Sequence, residues 1–403
     1  MEVTNIITEI ISGFTIALVL IPESIAFSLL LGLPPSVGLI STAIMSSITS
    51  LFGGCPTLIS GATGAVATSL VGIKTLYGTQ YVFLTAIIGG LIQLLFGISG
   101  LYKHFSNISQ PIMTGFLITL GFLIAKSQIK NFKYPNTENW FKDSDNYKLS
   151  GTLLFSLISL FITVFGKFMY NFSYKTSSLK INIPGALSAI IVLSILFYIM
   201  PIKETIEVVG ERGSTKINNI ALNIPNVELT TANILKVLPF ALAMAITGLT
   251  ESIFMVDDTS KQLKINSSPL IETLAQGVGN IISGLCGGFG GCVFVGLSKY
   301  NVENGSKTRL SSRATSLFFI ILTLMFSRTI NKIPMPAIIG IMIMIAFKTA
   351  TANYAYVVKN FRSEWLIILL TASLGIYSES LALAIIVGYI FQQAIKYIKN
   401  RIL

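Results

Sequence analysis

The chain has 403 residues, of which 52% are hydrophobic and only 11% are charged, and its mean hydropathy is +0.75. A soluble globular protein carries roughly 25% charged residues, so this composition excludes a water-soluble domain with a polar surface. The formal net charge of +11 then points to basic loops lying against anionic lipid rather than to nucleic acid.

A hydrocarbon core about 30 Å thick takes about 20 apolar residues per helix. The first span is predicted at Ile10–Leu31; with no basic leader and no small-residue cleavage site it reads as a retained helix. The second is Pro35–Phe52, and a broken third segment covers Thr57–Ile73. Val82–Leu101, Pro111–Ser127, Gly151–Tyr170 and Ile183–Ile202 complete a first half, residues 1–202. Residues 203–233 read as a polar extracytoplasmic linker. The second half, residues 234–403, opens with Ile234–Val256 and Leu270–Cys286, followed by a broken tenth segment at Gly287–Leu297. Ser316–Ser327, Pro336–Phe347, Glu364–Ile376 and Glu379–Tyr397 bring the total to about fourteen. With both termini placed in the cytoplasm of a plasma or inner membrane, the short inner loops are more basic than the acidic 203–233 loop outside, a modest positive-inside bias because the lysine-bearing 128–150 loop also falls outside.

Two irregular stretches stand out. One runs Gly53-Gly54-Cys55-Pro56 into Ser60-Gly61-Ala62-Thr63-Gly64-Ala65, the other Gly284-Leu285-Cys286-Gly287-Gly288-Phe289-Gly290-Gly291-Cys292-Val293. Each falls third in its half. Paired breaks in corresponding positions are the sequence pointer to a binding site between inverted repeats. A helix that starts inside the membrane leaves first-turn amides unbonded and a dipole that favours negative charge. Two such ends facing each other would hold an anion. Close packing of small residues is the plainer alternative, and suits Gly89, Gly90 and Gly97 best.

Charges inside spans are costly and usually functional. Glu251, deep in the eighth span beside Ser252, is the leading candidate for a coupling residue; Glu23, after Pro22 in the first, is a candidate cavity residue. Asp257 and Asp258 fall at the end of the eighth span, and Glu272 at the start of the ninth, where an acid suits a helix N-terminus. Ser60, Thr63 and Ser298 offer hydroxyls beside the breaks, Thr63 being the best side-chain contact for a substrate. The three cysteines and the single His104 have neither a disulfide framework nor metal-ligand spacing, so neither metal nor cofactor is expected. No nucleophile–base set is legible, so the chain does not read as an enzyme.

The opening Gly13-Phe14-Thr15-Ile16-Ala17-Leu18 to Pro22, Gly32-Leu33-Pro34-Pro35-Ser36-Val37-Gly38-Leu39, Phe52-Gly53-Gly54, Ser60 to Ala65, Thr250-Glu251-Ser252, Gln276-Gly277-Val278-Gly279-Asn280 and Thr308-Arg309-Leu310-Ser311 together resemble the membrane domain of the SulP family of anion transporters, related to SLC26. The resemblance implies an all-α membrane fold of seven plus seven inverted spans, with half-helices at segments three and ten. Spans one to four and eight to eleven would form a core, the others a gate. A small anion such as sulfate or bicarbonate would bind between segments three and ten, at Ser60, Thr63, Gly64, Ala65, Phe294, Val295 and Ser298. Core would move against gate in an elevator-type cycle, often in a homodimer, coupled to protons or sodium. Ala62, Gly290, Val293 and Leu297 depart from the family pattern, and Met255 puts a thioether where a sodium-coupled member has threonine. The chain ends before any C-terminal STAS domain. A dicarboxylate or nucleobase carrier of the same fold and a passive anion channel are the alternatives.

Overall fold

The computed structural model describes residues 3–132, 148–171, 185–200, 206–216, 222 and 224–402. The helices, in chain order, are α1 (Val3–Leu30), α2 (Pro35–Phe52), α3 (Gly64–Tyr77), α4 (Thr79–Ile98), α5 (Lys103–Ser106), α6 (Gln110–Gln128), α7 (Lys148–Asn171) and α8 (Gly185–Ile199). After them come α9 (Thr231–Leu263), α10 (Pro269–Leu285), α11 (Val295–Glu303), α12 (Arg309–Met325), α13 (Ser327–Ile330), α14 (Met335–Ala350), α15 (Tyr354–Ser378) and α16 (Leu381–Ile402). Two strands, β1 (Ser60–Gly61) and β2 (Cys292–Val293), precede α3 and α11. Every predicted segment contains a helix. The boundary at residue 202 lies outside the described residues.

The helices outrun the predicted spans where the sequence turns polar. α9 continues seven residues past Val256, carrying Asp257 and Asp258, and α12 starts at Arg309 rather than Ser316. Hydropathy marks where lipid ends, whereas backbone hydrogen bonding continues until a cap stops it. For α9 those caps are Thr230, which accepts from Asn233 N, and the left-handed Lys264 (φ 53°).

Among the described residues, six helices are long and apolar enough to cross a membrane and four shorter ones are predominantly apolar. Large side chains such as Leu95 (63% exposed) and Ile98 (78%) stay outside the packing. A continuous apolar exterior of this kind suits hydrocarbon, not water. The protein is an integral membrane protein.

The helices pack as two groups. One holds α1–α4 and α9–α12, the other α6–α8 and α14–α16. Small residues set the closest approaches. A Cβ on Gly90 of α4 would lie 2.6 Å from the carbonyl oxygen of Gly277 on α10, and one on Gly277 would lie 2.9 Å from that of Gly90. Gly13 of α1 meets Ser311 and Ala314 of α12 in the same way. At one end of the molecule, residues 206–216 tie the groups together. Ser36 N donates to Ser214 O (3.0 Å) and Met335 N to Glu207 O (2.8 Å). The Glu207 carboxylate accepts from Lys148 Nζ (2.8 Å) and Arg212 Nε (2.7 Å).

Candidate functional site: two helix starts on one cavity

Residues 53–59 return from α2 and run into β1; residues 286–291 wind from α10 into β2. The strands pair antiparallel, Ser60 with Val293 and Gly61 with Cys292, and Phe294 N adds a bond to Ile59 O (2.8 Å). Only glycine fits beside this pairing: a Cβ on Gly291 would sit 1.8 Å from Gly61 O. Gly290 turns the chain with φ +78°. Side chains satisfy the remaining backbone groups, as burial demands. Asn280 accepts from Gly291 N (2.7 Å) while its Nδ2 donates to Gly291 O (3.1 Å) and to Gln93 Oε1 (2.8 Å). Thr42 Oγ1 accepts from Ala62 N (3.0 Å).

The pairing sets the N-termini of α3 and α11 side by side. Thr63 caps α3, accepting from Val66 N (3.5 Å), and its hydroxyl lies 2.9 Å from Cys292 Sγ. That thiol donates to Glu251 Oε2 (3.0 Å). Glu251 of α9, Cys292 of β2 and Thr63 thus form one buried polar chain linking three elements. Phe294 precedes α11 and supplies no side-chain cap.

Both helix starts border a cavity of about 420 Å³. Glu23, Phe27, Thr63, Gly64, Glu251, Phe294, Val295 and Gly296 form its wall in the first helix group; Leu117, Leu120, Ile341, Met344 and Lys348 form the facing wall in the second. Lys299, Tyr300 and Glu303 continue the lining along α11. The Phe27 and Phe294 rings stand 6.3 Å apart, tilted by 32°, and Phe27 closes over Gly64, where a Cβ would lie 2.8 Å from its ring. Gly296, by contrast, has nothing within 4 Å of its Cβ position.

Of the residues singled out in the sequence, Thr63, Gly64, Phe294, Val295, Glu251 and Glu23 meet at this cavity. Ser60, Ala65, Ser252 and Ser298 lie behind it. The three serine hydroxyls hold the strands in place: Ser60 accepts from Gln276 Nε2 (2.9 Å), Ser252 from Val293 N (3.3 Å) and Ser298 from Ile59 N (3.0 Å). Ala65 is fully buried. Glu272 is more than a helix-start acid, since it is buried and accepts from Gly54 N (2.8 Å) and Gln276 Nε2 (2.8 Å). Sequence reading missed Phe27, Cys292, Lys299 and Lys348. Lys348 carried a signal, because it directly follows the predicted end of the twelfth span at Phe347, where an ionisable residue merits notice. Lys299 Nζ stands 5.9 Å from the centroid of the Phe254 ring.

Residues 6–371 match the sulfate permease family profile. The chain belongs to this family. YbaR of Bacillus subtilis (strain 168) is 30% identical over 345 residues, covering 86% of this chain and 67% of its own length. The bicarbonate transporter BicA of Synechocystis is 25% identical over 364 residues, covering 84% of this chain and 60% of its own. The chain therefore spans about two thirds or less of the length of these relatives. The same fold occurs in two solved structures. The transmembrane domain of a cyanobacterial BicA superposes with a TM-score of 0.75 at 20% identity, over 96% of this chain and 98% of that one. The murine Slc26a9 anion transporter in its inward-facing state gives 0.77 at 17% identity, over 99% and 69%.

Proposed function

We propose that this sulfate permease family protein carries a small inorganic anion, such as sulfate or bicarbonate, across the membrane by secondary active transport. The observation that carries the reading is the pair of helix N-termini bordering one cavity, that of α11 open to it, whose lining adds Lys299 and Lys348. Free first-turn amides and aligned peptide dipoles favour negative charge, and Lys299 and Lys348 offset the Glu23, Glu251 and Glu303 carboxylates that share the lining. The family description and the name of the BicA relative point to the same substrate class.

The two helix groups are the core and the gate of an elevator. Helix pairs that recur between the two parts of the chain support a seven-plus-seven repeat: α1 on α12 is answered by α9 on α4, and α6 on α15 by α14 on α7. The fourteen spans are the helices α1–α4, α6–α12 and α14–α16, with α3 and α11 as half-helices. The halves are residues 1–202 and 234–403, joined by the 203–233 linker. Glu251 is the coupling group. Its partner Cys292 offers a thiol hydrogen, and Met255 a thioether, where a sodium ion would need oxygen ligands; this favours a proton as the coupling ion. A homodimer in a plasma or inner membrane, with cytoplasmic termini, completes the reading.

Uptake into proteoliposomes of sulfate, bicarbonate, chloride, dicarboxylates and uracil, with sodium and proton gradients imposed separately, tests it. Saturable inorganic-anion uptake driven by a gradient is expected; unsaturable, gradient-independent flux would mark a channel instead. A dicarboxylate is the second reading, because the lysines sit on different elements, α11 and α14, as two separated carboxylates would need.

A further inference from the structure

A second and larger cavity, of about 820 Å³, lies along the seam between the two helix groups, walled by α3 and α9 on one side and by α6 and α16 on the other. Its lining is sharply divided. The body is aliphatic and aromatic, including Leu30, Val71, Phe240, Leu242 and Ile246. Two hydroxyls within that body are already spent on their own helix, since Thr68 Oγ1 and Ser69 Oγ donate to Ala65 O at 3.1 and 2.9 Å. The charged groups all gather at one end. Lys126 closes α6, Lys130 follows in the next turn, and Glu379 sits between Ser378 and Ser380 at the α15–α16 turn. Lys126 Nζ meets Glu379 Oε1 at 2.5 Å, both side chains about half exposed.

We propose that this seam binds an anionic phospholipid, its phosphodiester on Lys126 and Lys130 and one acyl chain along the apolar body. A small hydrophilic anion is a poor match, because the body offers it no free donor. A wholly apolar molecule leaves the lysines without a partner of opposite charge beyond Glu379. Two ammonium groups against one carboxylate leave a net charge of +1, which a phosphodiester of charge −1 neutralises. A glycerol headgroup has hydroxyls that can donate to Glu379, so phosphatidylglycerol fits best of the common headgroups. Basic pockets between membrane helices are established headgroup sites, and the volume is in the range of ligand pockets. Because one wall belongs to each helix group, a lipid held here stabilises one relative placement of the two.

The test is the thermal unfolding midpoint of the purified full chain in a neutral detergent. It is titrated with phosphatidylglycerol, phosphatidylcholine and phosphatidylethanolamine of the same acyl chains, and with glycerol 3-phosphate as the chainless control. Phosphatidylglycerol is expected to stabilise at a concentration about 25-fold lower than phosphatidylcholine, and glycerol 3-phosphate not to stabilise. Lys126→Gln with Lys130→Gln should erase that preference, at about fivefold per lysine, while leaving the lipid-free midpoint within about 2 °C. Ala243→Phe, which fills the groove, should weaken all three lipids alike. Equal stabilisation by the three headgroups, stabilisation by glycerol 3-phosphate alone, or an unchanged preference in the double variant would each overturn the proposal.

Discussion

The third and tenth segments look alike in sequence, two glycine-rich breaks at matching places, yet they meet the cavity in different ways. The start of α3 is sealed. Thr63 is capped into its own helix and bonded to Cys292, and the Phe27 ring lies on Gly64. The start of α11 is open: Phe294 supplies no cap and the Cβ direction of Gly296 faces empty space. The difference teaches that a helix N-terminus contributes to a site only if its neighbours leave it uncovered. Here α11 presents its first turn, while α3 supplies alignment and one edge.

The largest effect should come from breaking the contact that joins the segments. Gly291→Ala drives a Cβ into Gly61 O and should cost at least about 3 kcal/mol, read as a lower unfolding midpoint and a reduced yield of folded protein. Glu251→Gln removes the carboxylate that reaches both segments through Cys292. Gradient-driven uptake should fall by at least about a hundredfold, with the unfolding midpoint kept; coupled uptake at the wild-type rate would falsify the coupling role. Lys348→Gln takes away a positive charge facing the open α11 start and should raise the half-saturating anion concentration about tenfold, measured by concentration-dependent uptake. Thr63→Val tests the sealed side. Loss of the cap should cost about 1 kcal/mol of stability and weaken anion binding only about threefold, measured by calorimetric titration; an effect larger than that of Lys348→Gln would reverse the comparison. Gly296→Ala should leave stability within about 0.5 kcal/mol while raising the half-saturating concentration severalfold, because the added methyl enters the cavity rather than the packing.

Much of this was legible before folding. The apolar runs placed the long helices because a bilayer tolerates no unbonded backbone, and α2 begins and ends at its predicted residues, while the four-residue α5 and α13 fall between predicted spans or at the edge of one. Edges failed where charge and helix overlap, as at Asp257 and Arg309. The site was half legible. Glu251 and Thr63 were visible as a charge and a hydroxyl beside breaks, but their link through Cys292 was not. Nothing local marks a cysteine as the bridge between residues 41 positions before it and 229 before it. Ser60 and Ser298 read as substrate contacts, and in the fold both point away from the cavity to hold backbone.

Composition and glycine placement by themselves determined that the chain lives in lipid, where its helices run and which two segments break, since these follow from transfer free energy and backbone sterics along a few residues. Tertiary structure alone decided which broken end stays open, which lysines face it and how the β1–β2 pair joins the halves. Those outcomes depend on long-range antiparallel pairing and on how rings such as Phe27 and Phe294 pack, and neither leaves a periodic trace in the sequence.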